Sequence, residues 1–304
     1  MKKISIIGAG RVGETAACII AQQEMCSEVV LLDIREGAAA GAALDISQSA
    51  SYFGSDTRVT GGTDPALLKD SGLIVITAGS PRKPGMSRSD VLDINLAVIN
   101  SLVDEVLKYA PDSLLLLVTN PVDVLTWHAW KRTGWERGRV FGQAGILDAS
   151  RMATFMAEET GLSAKDIHPL VIGGHGDAMV PLTRFSTING APASAFLDDA
   201  AIARINERTR HGGAEVLALR QVSSAYIAPA AAVATMVDAI CHDRRRILPC
   251  VCNLDGEYGQ TDITAGVPAI LGRNGIEKVV QLPLDDTERS GFQTSIDSVR
   301  ADLK

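Results

Sequence analysis

Short, unbroken apolar runs recur through the first half of the chain, and longer stretches with apolar residues at helical spacing lie between them. The runs at 2–7, 28–33, 58–61, 73–78, 114–118 and 139–142 are short and dominated by Val, Ile and Leu, which predicts strands. Residues 11–22 are small and apolar at helical spacing, and 36–50 reads as an Ala-rich helix. Strands that are apolar on both faces and alternate with helices belong to a parallel sheet covered on both sides. The first half is therefore expected to be a doubly wound α/β unit of the Rossmann type.

After Gly142 the rhythm changes. A helix over 146–160 is followed by short strands near 167–172 and 183–188, then by long helices over 198–221 and 224–242. Strands near 247–252, 267–271 and 278–282 and a terminal helix over 286–303 complete the pattern. Strands and helices are segregated here, which predicts an α+β unit. The expected division is a nucleotide-binding domain over 1–143 and a substrate or catalytic domain over 144–304.

Composition narrows the classes. A chain of 304 residues with 46% hydrophobic content builds its own core. The net charge of −7 argues against nucleic acid or an anionic membrane as partner, though not against a small anionic substrate. No stretch reaches the roughly 18 uncharged apolar residues of a membrane span. The two lysines before the first apolar run do not make a signal peptide, because that run is short and breaks into a Gly-rich turn. Five cysteines, sparse and odd in number, fit reduced thiols in the cytoplasm. Cys250 and Cys252 sit in an apolar run without further ligands nearby, so no metal site is expected.

Gly8-Ala9-Gly10-Arg11-Val12-Gly13 fits G-x-G-x-x-G after a predicted strand and at the start of a predicted helix, and Asp33 ends the next strand about 20 residues on. In that context the pattern is a dinucleotide fingerprint. Gly8 permits the tight turn, Gly10 lets backbone approach a pyrophosphate, and Gly13 lets helix pack on strand. The anion then meets free N–H groups at the helix N-terminus. A carboxylate at Asp33 accepts ribose hydroxyls and repels a 2′-phosphate, which favours NAD over NADP. Arg35 nearby leaves some room for NADP.

Three segments carry polar groups that packing alone does not call for. In Gly145–Arg151, Asp148 and Arg151 are three apart at a helix start and share a face. By themselves they could be a helix-start carboxylate and a surface ion pair. His175 stands between glycines in GGHGD, after an apolar strand, with a side chain suited to proton transfer near neutrality. The segment 78–88, AGSPRKPGMSR, follows a sheet strand and frames three cations with glycines and prolines. It reads either as a solvated basic loop or as a lid that brings cations onto an anionic substrate.

Taken together, GAGRVG, LLDI, AGSPRKPGMSR, DINLAVI, VTNPVD, GILDASR, GGHGDAMVPL and GVPAILGRNG resemble the lactate/malate dehydrogenase family over nearly the whole chain. The resemblance implies that His175 is the general base and Asp148 its orienting carboxylate. It implies that Arg151 grips the C1 carboxylate and that Arg88 polarises the C2 oxygen. Asn120 would contact substrate oxygen and help to place the nicotinamide. The nucleotide turn from Gly8 to Gly13, with Asp33, Asn95, Val118, Thr119 and Asn120, would border the cofactor.

Arg82 decides the expected substrate. In the family this position meets whatever lies beyond C2, and a cation there matches a second carboxylate. The expectation is reversible hydride transfer between (S)-malate and NAD, as in the tricarboxylic acid cycle. Pyruvate would leave Arg82 buried and unpaired. Small Ala225 agrees with that, whereas Ile227 departs from the Tyr found in many relatives. Lactate or another 2-hydroxy acid is the alternative, and a non-catalytic NAD-binding regulator the remote one. The resemblance also implies a homo-oligomer, a dimer or tetramer built partly from the helices near 36–50 and 224–242.

Overall fold

The computed structural model describes residues 1–80 and 88–303. Each apolar run of the first half forms a strand: β1 (Lys3–Ile7), β2 (Glu28–Leu32), β3 (Arg58–Gly62), β4 (Leu73–Ile76), β5 (Leu114–Leu117) and β6 (Val140–Gln143). Their order across the sheet is β3-β2-β1-β4-β5-β6, and every neighbouring pair is parallel. Parallel neighbours cannot be joined by tight hairpins, so crossovers are obligatory. Helices α1 (Arg11–Gln22), α2 (Ala38–Phe53), α3 (Arg88–Tyr109) and α4 (Val122–Thr133) lie in these crossovers. The order reverses between β1 and β4, which opens the crevice where such sheets take ligands.

The second half begins with α5 (Gly145–Thr160). The expected strand 167–172 is two short ones, β7 (Ile167–His168) and β8 (Val171–Ile172), which pair in different small sheets. β8 pairs with β9 (Val180–Pro181), and the segment expected as strand 183–188 pairs only at β10 (Thr187–Ile188), beside β7 and β11 (Ala191–Pro192). Helices α6 (Asp199–Arg220) and α7 (Ile227–Cys241) follow, then β12 (Arg246–Asp255), β13 (Thr261–Gly272), β14 (Gly275–Val279) and α8 (Asp286–Asp302).

This half is α+β, but its longest strands do not form a sheet of their own. β12 pairs antiparallel with β6, so the hairpins β12-β13-β14 extend the first sheet to nine strands among the described residues. Ile4, Ile6, Ile74, Ile76, Leu115 and Leu116 are fully buried in the main core. Each such side chain stabilises the fold by about 1.5–3 kcal/mol relative to exposure. A second cluster holds α5, α6 and the small strands together through Met152, Met156, Ile188 and Ile205.

Ala230, Val233, Met236, Val237 and Ile240 of α7 are buried within the same chain, against α1 and β13. Most of its apolar surface is therefore core, while Ile227, Ala228 and Ala231 stay exposed.

Cys250 and Cys252 are buried in β12, and burial pushes the Cys250 thiol up to about 12. Among the described residues no group of three or more His, Cys, Asp or Glu could hold a metal ion. Among the same residues no helix is long and apolar enough to cross a membrane.

Candidate active site

The nucleotide turn joins β1 to α1. Gly8 has φ +111°, and a Cβ on Gly13 would lie 1.9 Å from the Gly8 carbonyl oxygen. No other residue type fits either position, so the turn is as tight as the spacing requires. Around Gly10 the opposite holds: a Cβ there would meet nothing within 4 Å. The space over the turn is open, and no side chain caps the helix start. An uncapped N-terminus facing open space is a fit for a pyrophosphate.

Asp33 follows β2 and accepts the Ala9 N–H at 2.9 Å, which ties the turn to the next strand. Arg35 closes on the same carboxylate, with Nε 3.0 Å from Oδ1 and Nη2 3.1 Å from Oδ2, and also reaches the Ala9 carbonyl. The hydrogen bond from Arg35 holds the Asp33 carboxyl below the usual carboxylate range.

The ends of β4 and β5 form the floor. Thr77 donates to the Gly8 carbonyl at 2.9 Å and Thr119 donates to the Ala78 carbonyl at 2.7 Å. Asn95, buried on α3, accepts from the Ser80 amide at 2.7 Å and donates to the Asn120 carbonyl at 2.8 Å. Asn95 therefore shapes the floor from beneath. Val118 extends the parallel pairing by donating to Ile76, and Asn120 is exposed at the sheet edge.

Strand register carries His175 to the same edge. Gly142 in β6 is opposite Val251 in β12, Val251 is opposite Gly266 in β13, and Gly266 pairs with Gly173. The loop after β8 thus lies beside the end of β6, from which α5 starts. Asp148, in the first turn of α5, is buried and points both oxygens at functional groups. Its Oδ2 is 2.9 Å from Nδ1 of His175, and its Oδ1 accepts from Nη1 of Arg151 at 2.8 Å. Gly212 and Gly213 of α6 leave room for the Arg151 side chain: a Cβ on Gly212 would lie 3.1 Å from its Cδ.

Burial by itself lowers the proton affinity of His175, and Arg151 adds to that. The charge and hydrogen bond of Asp148, with the charge of Asp123, outweigh both and raise its pKa above the ordinary histidine value.

A profile described as "lactate/malate dehydrogenase, NAD binding domain" matches residues 2–142, and "lactate/malate dehydrogenase, alpha/beta C-terminal domain" matches 146–304. The chain is 64% identical over 303 residues to malate dehydrogenase of Thioalkalivibrio sulfidiphilus, covering 100% of this chain and 99% of the relative. The chain belongs to the lactate/malate dehydrogenase family. The crystal structure of Cryptosporidium parvum malate dehydrogenase superposes with a TM-score of 0.96 at 36% identity, covering 99% of this chain and 98% of that one. A lactate dehydrogenase from the same organism, complexed with lactic acid and nicotinamide adenine dinucleotide, gives 0.95 at 38% identity, covering 99% and 96%. The family fold is thus shared almost equally by the malate and lactate enzymes and does not by itself choose the substrate.

Within the family frame, the structure joins Arg151 and His175 through Asp148, and places the nucleotide turn, Asp33, Val118, Thr119 and Asn120 along one sheet edge. Arg82 lies outside the described residues. Arg88 is the first residue of α3. Sequence reading missed Thr77, Asp123, Ser295 and the Gly212-Gly213 pair. Thr77 and Ser295 act through hydroxyls on remote segments, and nothing local distinguishes them. Asp123 carried one signal, a carboxylate amid the apolar start of α4.

Proposed function

We propose that this chain is an NAD-dependent malate dehydrogenase, interconverting (S)-malate and oxaloacetate. The observation that carries the proposal is one buried carboxylate, Asp148, holding His175 and Arg151 together at the same end of the sheet as the nucleotide turn. The 64% identity to a malate dehydrogenase over the full chain supports malate as the acid. Bound NAD supplies the acceptor for the hydride that leaves C2.

Asp148 can only accept, so Nδ1 of His175 is assigned as the protonated ring nitrogen and Nε2 faces substrate. In malate oxidation Nε2 takes the C2 hydroxyl proton as the C2 hydrogen departs with its electron pair. His175 becomes an imidazolium stabilised by Asp148, and reduction returns both proton and hydride. The remaining guanidinium N–H groups of Arg151 form a fork for the C1 carboxylate. Arg88 stabilises charge developing on the C2 oxygen, and Arg82 pairs with the C4 carboxylate.

The nucleotide half, 1–143, holds the cofactor and the half 144–304 supplies the base and the carboxylate grip; the ranges of the two matching profiles support this division. The protein acts in the cytoplasm as a homo-oligomer. On α2 and its last turn, Leu44 is 60%, Tyr52 89% and Phe53 55% exposed, an apolar surface suited to a second copy.

The test is NADH oxidation with oxaloacetate, with pyruvate, and with NADPH in place of NADH. Turnover with oxaloacetate and NADH, and little otherwise, is the expected result. Preference for pyruvate would keep the fold and His175 but overturn malate as the substrate. No turnover with either acid would bring the non-catalytic reading forward.

A further inference from the structure

Three consecutive amides hold the loop that carries His175. Gly173 N–H donates to the Gly266 carbonyl at 2.8 Å, Gly174 N–H to Ser295 Oγ at 2.7 Å, and His175 N–H to Asp123 Oδ2 at 2.7 Å. The acceptors come from β13, α8 and α4. Two of them are neutral, and the third is a carboxylate only 4% exposed.

We infer that Asp123 is a positioning residue of proton transfer, a second buried carboxylate that fixes the backbone of His175 while Asp148 fixes its ring. This rests on the reading of His175 as the base. Asp123 is a costly choice for a purely structural anchor. A buried charge loses its hydration, and a neutral acceptor would serve the amide as well. Its second oxygen, Oδ1, makes no hydrogen bond among the described residues. The α4 turn is also anchored independently, because Thr264 of β13 donates to the Asp123 carbonyl at 2.6 Å. The backbone of α4 is thus held at this point by a contact separate from the one its side chain makes to the histidine loop.

The groups that face Asp123 separate its two possible roles. His175, on the loop after β8, and Asp148, on α5, are the titratable neighbours acting on it, whereas the Thr264 hydroxyl of β13 goes to the Asp123 backbone carbonyl and Ser295 of α8 takes the Gly174 amide. Burial, reinforced by the Asp148 charge and opposed by His175, pushes the Asp123 carboxyl up to about 6. Asp123 and His175 therefore favour each other's charged forms. Asp123 adds to the proton affinity of the base from the backbone side.

The test compares the purified Asp123→Asn, Asp123→Ala and Ser295→Ala variants with wild type. It measures kcat and KM for malate against pH, the NADH dissociation constant by fluorescence, and thermal unfolding. Asp123→Asn keeps an acceptor and removes the charge. It should move the midpoint of malate oxidation down by about one pH unit. KM for malate and NADH affinity should stay within about twofold. Asp123→Ala should lower kcat about tenfold or more, because the loop loses its acceptor. Ser295→Ala should lower kcat without moving the midpoint. An unmoved midpoint in folded Asp123→Asn overturns the inference, and this variant decides even if Asp123→Ala does not fold. His175→Asn in parallel keeps the two readings apart. If that variant loses turnover while Asp123→Asn titrates as wild type, only the role of Asp123 fails. If it keeps turnover, His175 is not the base.

Discussion

His175 and Arg151 share one carboxylate: Asp148 sets an oxygen 2.9 Å from Nδ1 of His175 and accepts from Arg151 Nη1 at 2.8 Å. The proton-transfer group and the substrate grip are thereby fixed relative to each other through one rigid group on α5. A substrate held by Arg151 at its C1 carboxylate is held at a set distance from the base.

The shared carboxylate makes activity depend on pH in opposite senses for the two directions. His175 has a pKa above its ordinary 6.5, with Asp148 outweighing burial. Oxaloacetate reduction uses the protonated ring, so its kcat/KM should fall as pH rises through a midpoint above 6.5, while malate oxidation rises through the same midpoint. His175→Asn should lower kcat by on the order of 10²–10⁴ while NADH still binds. Because the folded pKa exceeds the unfolded one, the ion pair stabilises the fold fully below about pH 6.5 and is lost as pH rises through the raised value. The Tm gap between wild type and His175→Asn should shrink accordingly.

Arg151→Lys keeps the charge but not the planar fork that can face Asp148 and a substrate carboxylate together. Steady-state kinetics should show kcat/KM for oxaloacetate lower by about 10²-fold, roughly 3 kcal/mol of transition-state binding. An unchanged kcat/KM would remove Arg151 from the substrate site.

Arg35 covers the carboxylate that ribose hydroxyls would use. Arg35→Ala should uncover Asp33 as a full negative charge. Fluorescence titration should then give NADH binding a few-fold tighter and NADPH binding weaker, since a 2′-phosphate would meet an uncompensated carboxylate. Equal changes for both nucleotides would place them elsewhere.

Gly13→Ala puts a methyl group 1.9 Å from the Gly8 carbonyl oxygen, and backbone has to move. The variant should lose about 1–3 kcal/mol of stability and bind NADH poorly, as seen by thermal melting and fluorescence. The same change at Gly10, where nothing lies within 4 Å, should leave Tm alone and weaken only nucleotide binding.

Arg82→Gln should reduce turnover of oxaloacetate far more than that of pyruvate, because the change removes the partner of a second carboxylate. Comparable losses for both acids would mean that specificity lies elsewhere.

The sequence by itself determined the parallel sheet, the nucleotide turn and the charged triplet of the site. Those features rest on local physics: strand runs apolar on both faces, glycines where only glycine fits, and a carboxylate and arginine one helical turn apart. Tertiary structure decided what touches what. The hairpin from β12 to β14 joins the first sheet because β6 offers a free edge, and its register, Gly142 to Val251 to Gly266 to Gly173, delivers His175 to Asp148. The burial of α7, the room for Arg151 beside Gly212, and the hold of Asp123 and Ser295 on the histidine loop are likewise contacts between segments far apart in the chain. Such contacts leave no period or spacing in a sequence, since each side chain looks locally like a common polar or small residue until folding supplies its partner.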